Sequence, residues 1–236
     1  MLVGEIIQRI LSLYSKGVQS DDNRLSPRHV YNKLLSVRSK LISEEIKKKQ
    51  KVNQWNYQTL PCIELQKAYP NECPCIPPLG CEILRSVHKL PKPLTNYDNH
   101  IIQSVTDLNG EVTFSETSWN EKKYKAGNKY TSTKPDYFIH NGYLYITHKM
   151  KIRVINLVGI FEDPFAEDSF PSYCNECNEC KDCDDCISIL EKEFPIDEDM
   201  IDSLIELSSI ELLDKFNQGI EDRTNNSADN IPEQTK

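Results

Sequence analysis

The chain has 236 residues, of which 38% are hydrophobic and 27% are charged, and its formal net charge at pH 7 is −8. This length allows one large domain or two small ones with a hydrophobic core, and the slightly low apolar fraction favours an elongated or multi-segment protein. No segment approaches the roughly 18 consecutive apolar residues of a membrane helix, and residues 1–17 lack the basic start of a secretory signal. We therefore expect a soluble protein that is made and kept in a cytosol.

Charge divides the chain into unlike parts. Residues 1–52 hold 11 basic and 5 acidic side chains, residues 53–160 hold 12 and 9, and residues 161–236 hold 5 and 22. The corresponding net charges are +6, +3 and −17. This asymmetry suggests a molecule whose ends suit different neighbours, although a solvated acidic tail on an ordinary fold would give the same pattern.

Residues 1–52 are predicted to form a pair of helices. Apolar side chains recur at helical spacing over residues 3–16, and Gly17 is a candidate C-cap. Ser26 and Pro27 then supply an N-cap and a first helical residue for a long helix that runs to about residue 50. Its apolar stripe consists of Val30, Leu34, Leu35, Val37, Leu41, Ile42 and Ile46. The lysines of its last turn suit the helix dipole.

Residues 53–98 are predicted to form an extended Pro/Cys-rich arm. Seven prolines and four cysteines fall in this segment, and the prolines disfavour regular helix. We expect one or two short strands here, such as residues 82–87.

Residues 99–161 are predicted to be rich in β-structure. Asn109-Gly110 and Asn141-Gly142 each separate two runs of β-favouring residues, which is the strongest short signal of a hairpin. A basic polar loop at about residues 117–136 joins these hairpins, and residues 151–161 read as a further strand. The expected product is a β-meander or a small antiparallel sheet.

Residues 162–216 combine an acidic Cys-rich loop with a C-terminal helix that Asp197 can cap. The apolar residues of this helix occupy more than one face, so we expect it to be buried against its own fold and against a neighbour. Residues 217–236 lack periodicity and bulk, and are expected to be disordered when unbound. The predicted fold class is therefore α+β.

One motif could carry chemistry, namely a cysteine at every third position after residue 173. CxxC is a standard two-ligand turn for zinc, and repeated CxxC also occurs in iron–sulfur loops. Against a metal, no glycine lies between these cysteines, and the neighbouring carboxylates should raise the thiol pKa values. The run consists of Cys174, Cys177, Cys180, Cys183 and Cys186, and further ligands could come from Cys62, Cys73, Cys75 and Cys81. We expect a reduced loop without a cofactor; metal binding through residues 174–186 is the alternative, and disulfides are possible outside a cell.

No sequence signature of catalysis is present. The chain lacks a phosphate-binding loop, a GxGxxG motif and a nucleophile elbow. The five histidines are not paired at metal-ligand spacing: His29, His88, His100, His140 and His148. We therefore expect no enzyme, and assign no catalytic, cofactor-binding or metal-binding residue.

Nucleic-acid binding by residues 1–52 is a further hypothesis, because a basic helix can follow phosphates. The basic residues concerned are Arg24, Arg28, Lys33, Arg38 and Lys40, together with the lysine cluster that follows them at Lys47, Lys48, Lys49 and Lys51. Aromatic residues are sparse among them and no recognised DNA-binding motif appears. An acidic protein partner would explain these residues equally well.

Five segments resemble a structural protein of the crAss-like phages, which infect gut Bacteroides. They are RLSPRHVYNKLLSVRSKLI, KVNQWNYQTLPCIEL, CPCIPPLGCEILRS, VINLVGIFEDP and EFPIDEDMIDSLIELSSIELL. In that family the matching protein is a ring (adaptor) protein of the head–tail connector, beneath the portal. The resemblance spans about residues 15–216 and brings no catalytic residues with it.

The resemblance implies a virion protein that is assembled in the bacterial cytoplasm and does not associate with a membrane. It implies a closed ring of about twelve copies to match a portal. The portal would be the partner above, and further ring or tail proteins the partners below. Packaged DNA would pass through the lumen without sequence-specific binding.

Overall fold

The computed structural model describes an α+β protein. Its described residues are 1–15, 25–49, 51–68, 83–97, 99–118, 121, 134–147, 152–174 and 188–217. They divide into two compact units, one from the described residues of 1–44 and 188–217 and the other from those of 45–187. The predicted fold class is confirmed, whereas the arrangement of the strands differs from the prediction.

The three α-helices of the described chain begin close to where the sequence predicts. They are α1 (Val3–Tyr14), α2 (Pro27–Lys49) and α3 (Glu198–Asn217). The N–H of His29 donates to the Ser26 hydroxyl at 3.3 Å, so Ser26 caps α2 as predicted. Helix α1 ends two residues early, with Ser15 as its C-cap. Gly17, the predicted cap, lies outside the described residues.

Helix α1 packs against the segment that precedes α3. Its buried side chains are Val3, Ile6, Ile7 and Ile10. The N–H of Val3 donates to the Lys192 carbonyl at 2.9 Å, and the N–H of Phe194 donates to the Met1 carbonyl at 3.0 Å. A single 3-10 turn, Ile189–Glu191, lies beside the start of α1.

Helices α2 and α3 also bury one face each. The buried residues of α2 include Val30, Leu34, Val37 and Ile42, all members of the predicted stripe. Those of α3 are Leu204, Ile205, Ser208, Ser209 and Leu212. Ile210 on α3 is 47% exposed. That a neighbouring molecule covers this remaining face of α3 stays a prediction.

Seven strands form a closed barrel in the second unit. They are β1 (Gln58–Lys67), β2 (Leu84–Ser86), β5 (Ile102–Asp107), β6 (Thr113–Glu116), β7 (Asp136–His140), β8 (Tyr143–Thr147) and β9 (Val154–Gly159). Their order around the barrel is β1-β2-β8-β7-β6-β5-β9. Strands β6 and β7 are parallel and the other paired neighbours are antiparallel. A separate two-stranded ribbon consists of β3 (Thr95–Asn96) and β4 (Asn99–His100).

Both predicted hairpins are present, but the predicted meander is wrong. Asn141 and Gly142 have φ of +53° and +80° and join β7 directly to β8. The other pair, Asn109-Gly110, lies in a wider loop between β5 and β6. A meander fails because β9 pairs with both β5 and β1, which closes the barrel.

The predicted extended arm is also wrong in part, because it supplies two barrel strands. The short strand expected at residues 82–87 is β2, whereas β1 was not anticipated. Pro61 interrupts β1 and cannot donate a ladder hydrogen bond, and the register with β9 shifts between Leu60 and Ile63. Cys62 takes a φ of +54°, and its N–H donates to Asn156 Oδ1 at 2.9 Å. This β-bulge interrupts the alternation of buried and exposed side chains by which a strand is recognised in a sequence.

The barrel encloses a continuous apolar core. Its buried members are Leu60, Ile63, Leu65, Leu90, Val105, Phe114, Tyr137, Leu144, Ile146, Ile155, Leu157 and Phe161. Each of the larger side chains contributes about 1.5–3 kcal/mol through removal from water. They come from β1 and from strands near the middle of the chain, so the barrel needs both parts of the sequence.

Candidate interaction surfaces

An open groove lies between α1 and α3 in the first unit, with a volume of about 1010 Å³. Leu13 and Ile210 line it and are 56% and 47% exposed. Ile205 lines it as well and is buried. The groove therefore offers apolar surface that the described chain leaves open to water.

Acidic side chains dominate the charged lining of this groove. Among the described residues that line it, Glu5, Asp202 and Glu206 carry carboxylates, Arg9 carries a guanidinium and Met1 carries the amino terminus. The Glu5 carboxylate accepts a hydrogen bond from the N–H of Leu2 at 3.0 Å, which caps α1. Asp202 and Glu206 are exposed on α3. We call this feature the acidic groove.

A second surface lies in the other unit, at the end of α2. Lys47, Lys48 and Lys51 are exposed there, and Lys47 Nζ lies 5.7 Å from the centroid of the Tyr97 ring. Tyr97 is 84% exposed and Trp55 is 68% exposed. Aromatic rings with so much surface in water are typical anchors of protein interfaces. We call these five residues the basic aromatic patch; Lys47 and Tyr97 are in contact, and Lys48, Lys51 and Trp55 follow Lys47 closely in the sequence.

Three of the basic residues proposed to follow phosphates have partners within the first unit, whereas the lysine cluster at the end of α2 has exposed side chains at Lys47, Lys48 and Lys51. Lys33 forms a salt bridge with Glu211 on α3, and Lys40 Nζ lies 3.8 Å from the same carboxylate. Arg38 is fully buried, and its Nε donates to the Pro195 carbonyl at 2.9 Å. Arg28 is exposed, and Arg24 lies outside the described residues. The acidic partner of α2 is thus partly α3 of the same chain.

The first cysteine of the predicted motif is bonded to a cysteine far away in the sequence. Cys174 forms a disulfide with Cys62, the residue at the bulge of β1, with 5.6 Å between the Cα atoms. Cys177, Cys180, Cys183 and Cys186 lie outside the described residues, as do Cys73, Cys75 and Cys81. Within the part of the chain that the structure describes, no group of three or more His, Cys, Asp or Glu side chains could hold a metal ion.

Non-covalent contacts hold the same segment on the barrel. The N–H of Tyr173 donates to the Cys62 carbonyl at 3.0 Å, and the Ser172 hydroxyl donates to the Pro61 carbonyl at 3.2 Å. The Arg153 guanidinium lies 4.6 Å from the centroid of the Tyr173 ring. Cys174 is therefore placed beside Cys62 by its neighbours as well as by the bond.

The groups with displaced pKa values belong to the barrel unit. Burial raises the pKa of Tyr57 and of Glu116, and lowers the pKa of His100. Burial, with a smaller effect of the nearby Glu116 carboxylate, raises the pKa of Tyr137 far above its usual range. Desolvation is the main cause in each case, as expected where side chains pack into a core.

The family of the chain follows from comparison with known proteins. A family model described as phage tail ring protein 2 of the crAss-like phages matches residues 5–231. The chain belongs to this family. A curated relative, Ring protein 2 of Bacteroides phage crAss001, is 28% identical over 247 residues, which is 99% of each chain. The resemblance seen in the sequence is therefore confirmed.

Membership in the ring-protein family indicates in which kind of protein the two surfaces occur. The family is one of structural phage proteins and is not a known enzyme family, so this ring protein is a structural component of the virion. Among the described residues, none of the helices combines the length and the apolar content of a membrane-spanning segment.

Part of these surfaces is recognisable in the sequence. The lysines after α2 and the excess apolar residues of α3 were visible as patterns. The acidic groove was not, since it depends on where α1 and α3 pack. The disulfide was not visible in the sequence either, because nine cysteines allow many pairings and their spacing alone selects none of them.

Proposed function

We propose that this ring protein forms a closed homo-oligomeric ring in the head–tail connector of a tailed phage, where it links the portal to the tail. About twelve copies would match the symmetry of a portal. The observation that carries the proposal is the match to the phage tail ring family over nearly the whole chain.

The two surfaces support self-association. A cyclic ring uses heterologous contacts, in which one patch of each subunit meets a different patch of the next. The described residues offer two such unlike surfaces, the acidic groove and the basic aromatic patch. No described residue of the same unit covers either surface completely, since both keep exposed apolar side chains.

Contacts with other proteins would fall at the two ends of the ring. The portal is the proposed partner above, and further ring or tail proteins are the proposed partners below. These partners follow from the family resemblance; the charge asymmetry of the sequence does not add to it, because the basic α2 pairs with the acidic α3 within one unit.

Packaged DNA is proposed to pass through the lumen without sequence-specific binding. A net charge of −8 favours sliding over adhesion, because each phosphate contact needs a basic side chain that displaces a counterion. The burial or pairing of Arg38 and Lys33 removes basic residues from the candidate phosphate track.

Cross-linking of intact particles followed by mass spectrometry tests the position in the virion. We expect cross-links from this ring protein to itself, to the portal and to a tail protein. Cross-links to capsid proteins alone, with none to the portal or the tail, would overturn the connector role. A free-protein control mixed with finished particles measures cross-linking that does not depend on assembly.

A further inference from the structure

We propose that the acidic groove of one copy receives the basic aromatic patch of the next copy, which makes this pair of surfaces the contact that repeats around the ring. The inference rests on the ring function proposed above. It identifies the occupant of the groove as a second copy of this chain.

The groove has the chemistry of a receptor for a positively charged apolar knob. Ile205 lies in it as a buried side chain, while Leu13 and Ile210 present exposed apolar surface. Asp202 and Glu206 add two carboxylates, and within the described residues neither forms a salt bridge. Apolar surface with an unneutralised acidic edge matches the usual layout of an interface core and its polar rim.

The patch has the complementary chemistry. Trp55 and Tyr97 are 68% and 84% exposed, so they carry apolar surface that gains from removal from water. Lys48 and Lys51 are exposed close to Trp55 in sequence, and Lys47 lies near the Tyr97 ring. Insertion of the rings into the groove would bring these ammonium groups towards the carboxylates of its edge. Trp and Tyr also dominate the binding energy of typical interfaces.

A second copy explains more of the observations than a nucleic acid does. Phosphates would account for the lysines and for base stacking on the rings, but they would leave the groove and its carboxylates without an occupant. A heterologous contact between copies fills the groove and covers the patch at once, and it repeats around a closed ring without further surfaces.

Two charge-reversal variants test the contact. The groove variant carries Asp202→Lys and Glu206→Lys, and the patch variant carries Lys48→Glu and Lys51→Glu. All four side chains are exposed, so the variants should fold, which circular dichroism and thermal unfolding will show. Oligomeric mass is then measured by native mass spectrometry for wild type, for each variant alone and for their equimolar mixture.

We expect each variant alone to form at least about tenfold less ring than wild type, because the reversed charges face like charges on the next copy. Mixing should restore ring formation, with the two variants alternating. In the mixture every positive groove meets a negative patch, and every negative groove meets a positive patch. The control variants Glu111→Lys and Lys134→Glu change exposed charges outside both surfaces and should assemble like wild type.

The outcomes separate this contact from the ring function. Rings from wild type and from both variants alone would overturn the contact and leave the ring function standing. Loss in each variant without recovery in the mixture would also overturn it, since the effect would then lie within one chain. A patch variant that assembles normally but loses salt-dependent DNA retention would assign the patch to nucleic acid instead. Wild-type protein that stays monomeric would overturn both proposals.

Discussion

Cys62 and Cys174 are joined by a disulfide although 112 positions separate them in the sequence, and their Cα atoms lie 5.6 Å apart. The bond ties the bulge of strand β1 to the segment that leaves β9. Cys62 is buried whereas Cys174 is exposed, so a reductant reaches the bond from the Cys174 side.

Removal of this bond should destabilise the barrel unit. Cys174→Ser is expected to lower the free energy of unfolding by about 2–4 kcal/mol, because the bond closes a long loop and restricts the unfolded chain. Chemical denaturation of wild type and Cys174→Ser, with and without reductant, measures this free energy of unfolding. Reductant should destabilise wild type and leave Cys174→Ser unchanged. An equal effect of reductant on both proteins would contradict the role of this bond.

The disulfide also bears on the metal alternative. A Cys174 thiolate is unavailable as a ligand while it is bonded to Cys62, since metals bind the thiolate form. Because the sequence predicts no metal site and the bond removes one cysteine from the run, the oxidised protein is expected to bind no stoichiometric zinc at neutral pH. Elemental analysis after dialysis against zinc, with the fully reduced protein alongside, makes the measurement. One equivalent of zinc bound while the Cys62–Cys174 bond is intact would contradict this expectation.

The Arg38 side chain should matter for stability rather than for nucleic-acid binding. Arg38→Ala leaves the Pro195 carbonyl without the hydrogen bond from Arg38 Nε and opens a cavity, which should cost about 3 kcal/mol in the free energy of unfolding. The matched control Arg28→Ala removes an exposed arginine from the same helix. It should change stability by less than about 0.5 kcal/mol. Urea unfolding curves that coincide for the two variants would refute the buried role of Arg38.

Gly4 in α1 is placed against the 3-10 turn at Ile189–Glu191. A Cβ at this position would lie 2.9 Å from the Leu190 backbone carbonyl oxygen. Gly4→Ala should therefore lower the free energy of unfolding by about 1–2 kcal/mol, although alanine usually stabilises a helix relative to glycine. Ser12→Ala, at an exposed position of the same helix, should be neutral or slightly stabilising. A more stable Gly4→Ala variant in thermal unfolding would show that α1 does not pack on this turn.

His100 should make stability depend on pH. Burial lowers its pKa, and its Nδ1 is a buried atom without a hydrogen-bond partner among the described residues. His100 therefore binds a proton more readily in the unfolded chain than in the folded chain. The free energy of unfolding should for this reason fall as the pH drops below about 6.5. His100→Phe should lose less stability than wild type between about pH 7.5 and about pH 5.5. The control Asn99→Ala, on the same strand, removes no titrating group and should keep the wild-type dependence of stability on pH. If the free energy of unfolding of His100→Phe varies with pH as that of wild type does, His100 is not a cause of the dependence.

Local signals predicted many elements of this fold. Ser26-Pro27 marked the start of α2, and Asn141-Gly142 marked a tight hairpin. In both cases a few adjacent residues meet the hydrogen-bonding or conformational requirement of the backbone without help from distant residues. The barrel could not be predicted in the same way. Its closure depends on β1, whose alternation is broken at Pro61-Cys62, and on the pairing of β1 with β9, about 100 residues away in sequence.

The interaction surfaces were predictable only in part, for a related reason. An unburied apolar residue such as Ile210 can be suspected from an excess of apolar positions on a helix. The groove exists only once α1 packs beside α3, and its acidic edge combines Glu5 with Asp202 and Glu206. Such a surface has no counterpart in any single stretch of sequence.

The oligomeric mass of the purified protein tests the central claim most directly. Native mass spectrometry of wild type, alone and with portal protein added, should show a closed oligomer; twelve copies of a 27.3 kDa chain would have a mass of about 328 kDa. The ring should also be visible as an annulus in negative-stain images of the same sample. A single species of 27.3 kDa under both conditions would contradict the account of this protein as a ring subunit.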